Sequence, residues 1–403
     1  MVSSTSAQVS PPVAGPGARH LLDASSTPMH PAARSTLEAA WRLGWADPRH
    51  RHAEGRQARR LLDQARAVIA DGLGVRPDEV VLTSGGPAAL RLGLHGLRYA
   101  ARRTGQRVLA SAVEQSTVLT TIRYAADRAG APALAGVVPV DGQGRVDLEQ
   151  WSAALAVEGT AVACLQHANG EVGTVQPLAA ARAAARERGI PLLVDATASL
   201  GRLDPPTAGT DYDALAGDAR SWGGPPGVGV LVLPAGTRWR RDGPPSELEG
   251  GRTDVEPVVP LVLAAAEAWL QTAATAAAEQ AEARALVDRI RAGVAELPET
   301  EVVGDPVDRL PHVVTFSCLL ADGETLLDEL DRRGLAVGSG SACTSSTLEP
   351  SHVLAAMGAL THGNIRITLP LAAVAPDRSL GVDRLLEVLP DVLAGVRARV
   401  VRQ

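Results

Sequence analysis

Residues 160–196 read TAVACLQHANGEVGTVQPLAAARAAARERGIPLLVDA, and this stretch decides the fold class. TAVACLQ is short and almost continuously apolar, as a strand covered on both faces must be. A glycine-bounded polar loop follows, then an Ala-rich helical stretch over 178–188, then a second apolar run, PLLVDA. Strand, helix, strand is the repeating unit of a parallel sheet. Outward toward the N-terminus the alternation continues. A helical face of Leu61, Leu62, Ala65, Ile69 and Leu73 ends near Gly72 to Gly74, and EVVLTS (79–84) follows as a strand. After it come a helix from about Pro87, a strand at RVLAS (107–111), a helix over 116–129, a strand at LAGVVPV (134–140) and a helix from Asp147. The chain is α/β, with a large, mostly parallel sheet domain.

Toward the C-terminus, residues 258–293 form one long Ala-rich helical stretch that bridges out of the large domain. Beyond it lie HVVTFSC (312–318), a helix over 323–333, LAVGSG (335–340), a helix from about Pro350, NIRITL (364–369) and a last helix to Arg399. These make a small α+β C-terminal domain. The expected division is a disordered leader over 1–19, an N-terminal segment of the small domain over 20–34, the large domain over 35–258, and the linking helix with the small domain over 259–403.

Composition narrows the function. At 403 residues and 45% hydrophobic, the chain can bury one large core and a smaller one. Its three cysteines, Cys164, Cys318 and Cys343, are too few and too scattered for a disulfide framework or a CxxC-type metal site. No metal ligands are assigned, and a reducing, cytoplasmic location is expected. The net charge of −6 comes without a basic tract or an aromatic platform, which argues against nucleic acid as a partner. The Ser/Pro/Gly-rich start lacks the apolar core of a signal peptide, and no apolar run suggests a bilayer span. No membrane partner is expected. All 39 basic residues are arginine. Without lysine, no side-chain amine can form a Schiff base.

Four stretches carry chemistry-bearing residues. SGGPAAL (84–90) ends a strand and opens a helix, so Ser84, Gly85 and Gly86 offer backbone N–H groups where a phosphate could sit, or simply make a tight turn. VDATASLG (194–201) sets Asp195 at the C-terminal end of a strand, as a ligand-site residue or a helix cap. The QHANGEVG loop holds His167, Asn169 and Glu171, as site residues or turn makers. GSGSACTSSTLEPSH (338–352) places Cys343 among glycines, serines and threonines. A free cysteine is ordinarily buried, and this segment has little to bury it with, so reactivity is the natural reading. Cys164 and Cys318 sit in apolar strands and should be buried and inert.

In this order, LLDASSTP, DEVVLTSGG, QHANGEVG, VDATASLGR, GGPPGVGVLVL, GSGSACTSSTLEPSHVLAAMG and GNIRITL resemble the NifS/IscS-type cysteine desulfurases, in the class V branch of fold-type I pyridoxal-phosphate (PLP) enzymes. The resemblance runs from about Leu21 to Arg399. It implies a seven-stranded sheet and a dimer. It also implies that Cys343 receives sulfur as a persulfide and delivers it to an acceptor protein, and that Arg366 holds a substrate carboxylate. A planar, bidentate donor suits that last task.

The resemblance breaks at the cofactor. The family's SGHK, followed after two residues by GPKG, reads DARSWGGPPG here, which puts Ser221 at the Schiff-base lysine and Arg220 at the preceding histidine. Gln115 stands at the ring-stacking histidine, Pro87 at the threonine after the phosphate-binding turn, and Ala198 at the glutamine near the aspartate. Arg252-Thr253-Asp254-Val255 replaces the Arg-Ser-Gly-Thr that reaches a phosphate across the dimer. Asp195, partner of the pyridine nitrogen, and Asn169 are kept. The expected state is therefore a vestigial PLP pocket with no covalently bound cofactor. Three readings follow: a sulfur-transfer pseudoenzyme carrying persulfide on Cys343, loaded by an active desulfurase or another sulfur donor; a structural or regulatory subunit paired with an active desulfurase in a homo- or heterodimer; or an active enzyme binding PLP non-covalently.

Overall fold

The computed structural model describes residues 19–26, 28–340 and 350–400. The chain enters through β1 (His20–Leu21), α1 (Pro31–Leu43) and α2 (Ala53–Gly72). The alternating core follows as β2 (Val80–Thr83), α3 (Gly86–Ala100), β3 (Arg107–Ser111), α4 (Ser116–Arg128), β4 (Ala135–Val138), α5 (Leu148–Leu155), β5 (Thr160–Gln166), α6 (Leu178–Arg186), β6 (Leu192–Asp195), β7 (Ala214–Asp218) and β8 (Gly229–Val232). These strands form a seven-stranded sheet in the order β2-β8-β7-β6-β5-β3-β4. Only β8 runs against its neighbours; every other pairing is parallel. Both faces are covered, because successive side chains of a strand point opposite ways. Along β5, Ala163 and Leu165 join the core that holds Trp151 and Trp222, while Val162 and Cys164 join the core under α3 and α4.

After α7 (Val259–Ala295) the chain builds β9 (Thr300–Val303), β10 (Val313–Cys318), α8 (Gly323–Arg332), β11 (Leu335–Ala336), α9 (His352–Met357), β12 (Asn364–Thr368) and α10 (Arg378–Val400). β12, β10 and β9 form an antiparallel sheet, and β1 pairs with β11. The first described residues thus belong to the smaller lobe: Leu22 is fully buried beside Phe316, Ile367 and Leu385, and Asp23 bridges to Thr368.

Helix α7 ties the two cores together. Its first third, including Val262 and Trp269, packs into the large core, and Val287, Ile290 and Val294 enter the small one. By length and composition alone this helix could span a bilayer, a feature the hydropathy reading of the sequence did not register. Helices α1 and α2 pack against it.

Candidate functional site

The strands β2, β6 and β7 run in one direction, so the segments leaving their C-terminal ends meet on one side of the sheet. There a cleft of about 240 Å3 opens between the lobes, with Pro87, Gln115, Thr197, Asp218 and Ser221 on the large side and His312, Arg366 and Thr368 on the small side. Among the sequence candidates, Ser221, Gln115 and Arg366 therefore come together.

Asp195 ends β6 and is buried. Burial raises its pKa, and the hydrogen bonds from Thr197 partly offset that. Its Oδ1 accepts from the Thr197 N–H at 2.8 Å and the Thr197 hydroxyl at 2.6 Å. Gln115 Nε2 donates to the same hydroxyl at 3.1 Å, while Gln115 Oε1 has no partner among the described residues. Behind this pair lies Glu114, which sequence reasoning passed over. It is fully buried, accepts from Ser111 Oγ and the Gln166 N–H, and is pushed up to about 8 by burial, with Asp195 adding to the shift.

Asn169, Asp195, Ser84, Gly85 and Gly86 are not among the residues that line this cleft. The Asn169 side chain is buried; its Oδ1 accepts from the N–H groups of Glu171 and Val172, and its Nδ2 donates to the Val113 carbonyl. It holds its own loop closed. Ser84 is exposed. His167 turns toward Ser199, and burial lowers its pKa to about 4.

The glycine turn is where the geometry departs furthest from a free anion cradle. Gly85 caps α3 at φ 136°, a conformation glycine adopts without strain. The Gly86 N–H donates to Asp218 Oδ2 at 2.8 Å. Pro87 has no N–H to give, and the N–H groups of Ala88 and Ala89 both bond the Gly85 carbonyl. Asp218 in turn is gripped by Arg220, whose Nε and Nη2 reach its two carboxylate oxygens at 3.0 and 3.1 Å. That pairing raises the Arg220 pKa further.

Ser221 lies in the short 3-10 turn Ala219–Trp222. Its hydroxyl donates to the Asp218 carbonyl and its own carbonyl accepts from Arg202 Nε, each at 2.8 Å. Trp222 fixes this turn: it is fully buried, donates from Nε1 to the Ala265 carbonyl and stands edge-on to Trp269 at 5.1 Å. Arg202 is itself buried, and desolvation lowers its pKa to about 10.

At the other end, β12 carries Arg366, which is 7% exposed, with Asp23 3.8 Å from Nη2. Arg366 Nε, Thr368 Oγ1 and His312 Nδ1 have no hydrogen-bond partner among the described residues. Cys343 lies outside the described residues, as do all of 341–349. Their flanks meet beside Glu171: a Cβ on Gly340 would come within 2.1 Å of Glu171 Oε1 and 3.4 Å of the Ser351 Cβ. Burial pushes Glu171 up to about 7, against hydrogen bonding from Ser351 and the charge of Arg366. Cys164 and Cys318 are buried in β5 and β10, and desolvation raises both thiols, Cys318 to about 11. Arg252–Val255 line a separate cleft with Arg91, His95 and Trp239.

The aminotransferase class V family model matches residues 20–377. An IscS-like cysteine desulfurase of Mycobacterium tuberculosis is 35% identical over 401 residues, covering 94% of this chain and 97% of its own. A cysteine desulfurase of Cereibacter sphaeroides is 34% identical over 369 residues, covering 88% and 90%. Among solved structures, a NifS-like protein superposes with a TM-score of 0.83 at 23% identity, over 94% of this chain and all of its own, and supports the fold. The DndA structure from Streptomyces lividans gives 0.70 at 26% identity, over 86% and 98%. Taken with the α/β architecture and the order of the motifs, these likenesses show that the chain belongs to the class V aminotransferase family, in its NifS/IscS-type cysteine desulfurase branch.

Proposed function

We propose that this cysteine desulfurase-like chain has given up PLP chemistry and works as a sulfur relay on Cys343. An active desulfurase or another persulfide donor loads it, and a sulfur-acceptor protein unloads it. The observation that carries the proposal is Ser221 at the Schiff-base position in a chain with no lysine at all. Neither a serine hydroxyl nor the neighbouring guanidinium is a nucleophilic amine at neutral pH.

The rest of the cleft supports the same reading. The residues present do not fit PLP: residue 221 has no amine, the Gly86 N–H is engaged by Asp218, and residue 87 has no donor. Sulfur transfer needs none of these. The Cys343 thiolate attacks the outer sulfur of a donor persulfide, one S–S bond forms as another breaks, and the donor leaves as a thiolate. Electrons balance without an added oxidant. The working state is a homo- or heterodimer in a reducing cytoplasm, where a free thiol persists.

Purification with PLP present, followed by an absorbance spectrum and a sulfide assay with free cysteine, tests the loss of cofactor chemistry. No visible cofactor band and no sulfide or alanine release are expected. A band that shifts on adding cysteine would overturn the proposal and favour an active enzyme.

A further inference from the structure

We infer that Asp218 is an anion built into the chain, occupying the first turn of α3 and making the cleft select against phosphorylated ligands. An α-helix opens with backbone N–H groups that lack intrahelical partners, and its dipole favours negative charge there. In α3 that demand is met from within. The Asp218 carboxylate reaches the turn from the end of β7, 132 residues away in sequence, and takes the Gly86 N–H. It is 4% exposed, and Arg220 closes over it with a two-point contact from the cleft side. The backbone of Arg220 also donates to Asp218 Oδ1 at 3.0 Å, so one carboxylate serves two turns at once.

The space is filled as well as the charge. An added Cβ on Gly86 would meet Thr197 Cγ2 at 2.6 Å and Asp218 Cβ at 3.0 Å. A phosphate monoester carries nearly two negative charges at neutral pH. To reach α3 it would have to displace a buried carboxylate from its arginine and its amide, or sit against it. Either route is unfavourable, so the chain excludes phosphate by occupancy and by like charge together. The unpartnered Arg366 Nε and Thr368 Oγ1 lie on the small-lobe side of the same cleft. An unphosphorylated anion keeps that anchor. This selectivity belongs to the cleft itself and holds whether or not Cys343 carries sulfur.

Calorimetric titration with inorganic phosphate, run on the intact protein and on Asp218→Ala, reads the effect directly. The wild type should bind phosphate weakly at most, through the Arg366 side of the cleft alone. Asp218→Ala frees the Gly86 N–H and the Arg220 fork and should bind phosphate at least tenfold more tightly. Asp218→Ser, which keeps a small polar group, carries the same comparison if the alanine variant folds poorly. Phosphate binding by the wild type as tight as by Asp218→Ala, or no gain in either folded variant, overturns the inference.

Discussion

A single carboxylate and a single hydroxyl determine what the cleft can do. Ser221→Lys restores the missing amine, yet the lysine would arrive in a pocket whose Gly86 N–H is engaged and whose residue 87 has none. Each charge-assisted hydrogen bond to a phosphate is worth about 1.5–3 kcal/mol. Two absent donors therefore weaken cofactor binding by roughly 10²- to 10⁴-fold. The single variant should release sulfide from cysteine only at background rate, as a sulfide assay would report; full turnover would show that the pocket is intact. Glu114 makes a second prediction at this scale. Its carboxyl is pushed up to about 8 by burial, with Asp195 adding to it, so the folded chain holds a proton that the unfolded chain releases near pH ~4.3. The stability this group supplies is present below that pH and is lost as pH rises through about 8. Glu114→Gln keeps the acceptor for Ser111 and Gln166 and removes the titration. Its melting temperature should fall less steeply than that of the wild type between about pH 5 and 8.

Elements were legible where pattern alone decides them. β5 and β6 announce themselves as apolar runs, and α3 begins at the Ser-Gly-Gly turn where the sequence places a helix start. β7 escaped notice because ALAGD has little β-branched or aromatic content; it is a strand because β6 and β8 flank it and bond it from both sides. The role of Asp218 was hidden for a related reason. Nothing local to DARSWGG says that its carboxylate will meet a helix start 132 residues earlier. Asn169 is a site candidate through its motif, and its amide also bonds the N–H groups of Glu171 and Val172 and the Val113 carbonyl. The 3-10 turn bearing Ser221 depends on Trp222, which is buried against α7 and whose carbonyl accepts from Thr272. Trp222→Ala leaves a cavity there and should cost about 3–5 kcal/mol in denaturant unfolding. An unchanged midpoint would mean the turn is anchored by something else.

Across the whole molecule, two cores joined by α7 place the cleft where the lobes meet, and they bury Cys164 and Cys318. Cys164 and Cys318 are strand residues with desolvated thiols raised away from the reactive range. A thiol-reactive probe under native conditions should therefore label Cys343 well before either of them, with the other two reacting only after denaturation. The central claim is that sulfur is carried on one residue and not generated in the cleft. Intact-mass measurement with peptide mapping, after incubation with a persulfide donor in the absence of PLP, addresses it most directly. The account predicts a gain of one sulfur atom confined to Cys343 and abolished by Cys343→Ser. Sulfur spread equally over Cys164 and Cys318, or no gain at Cys343, would contradict it.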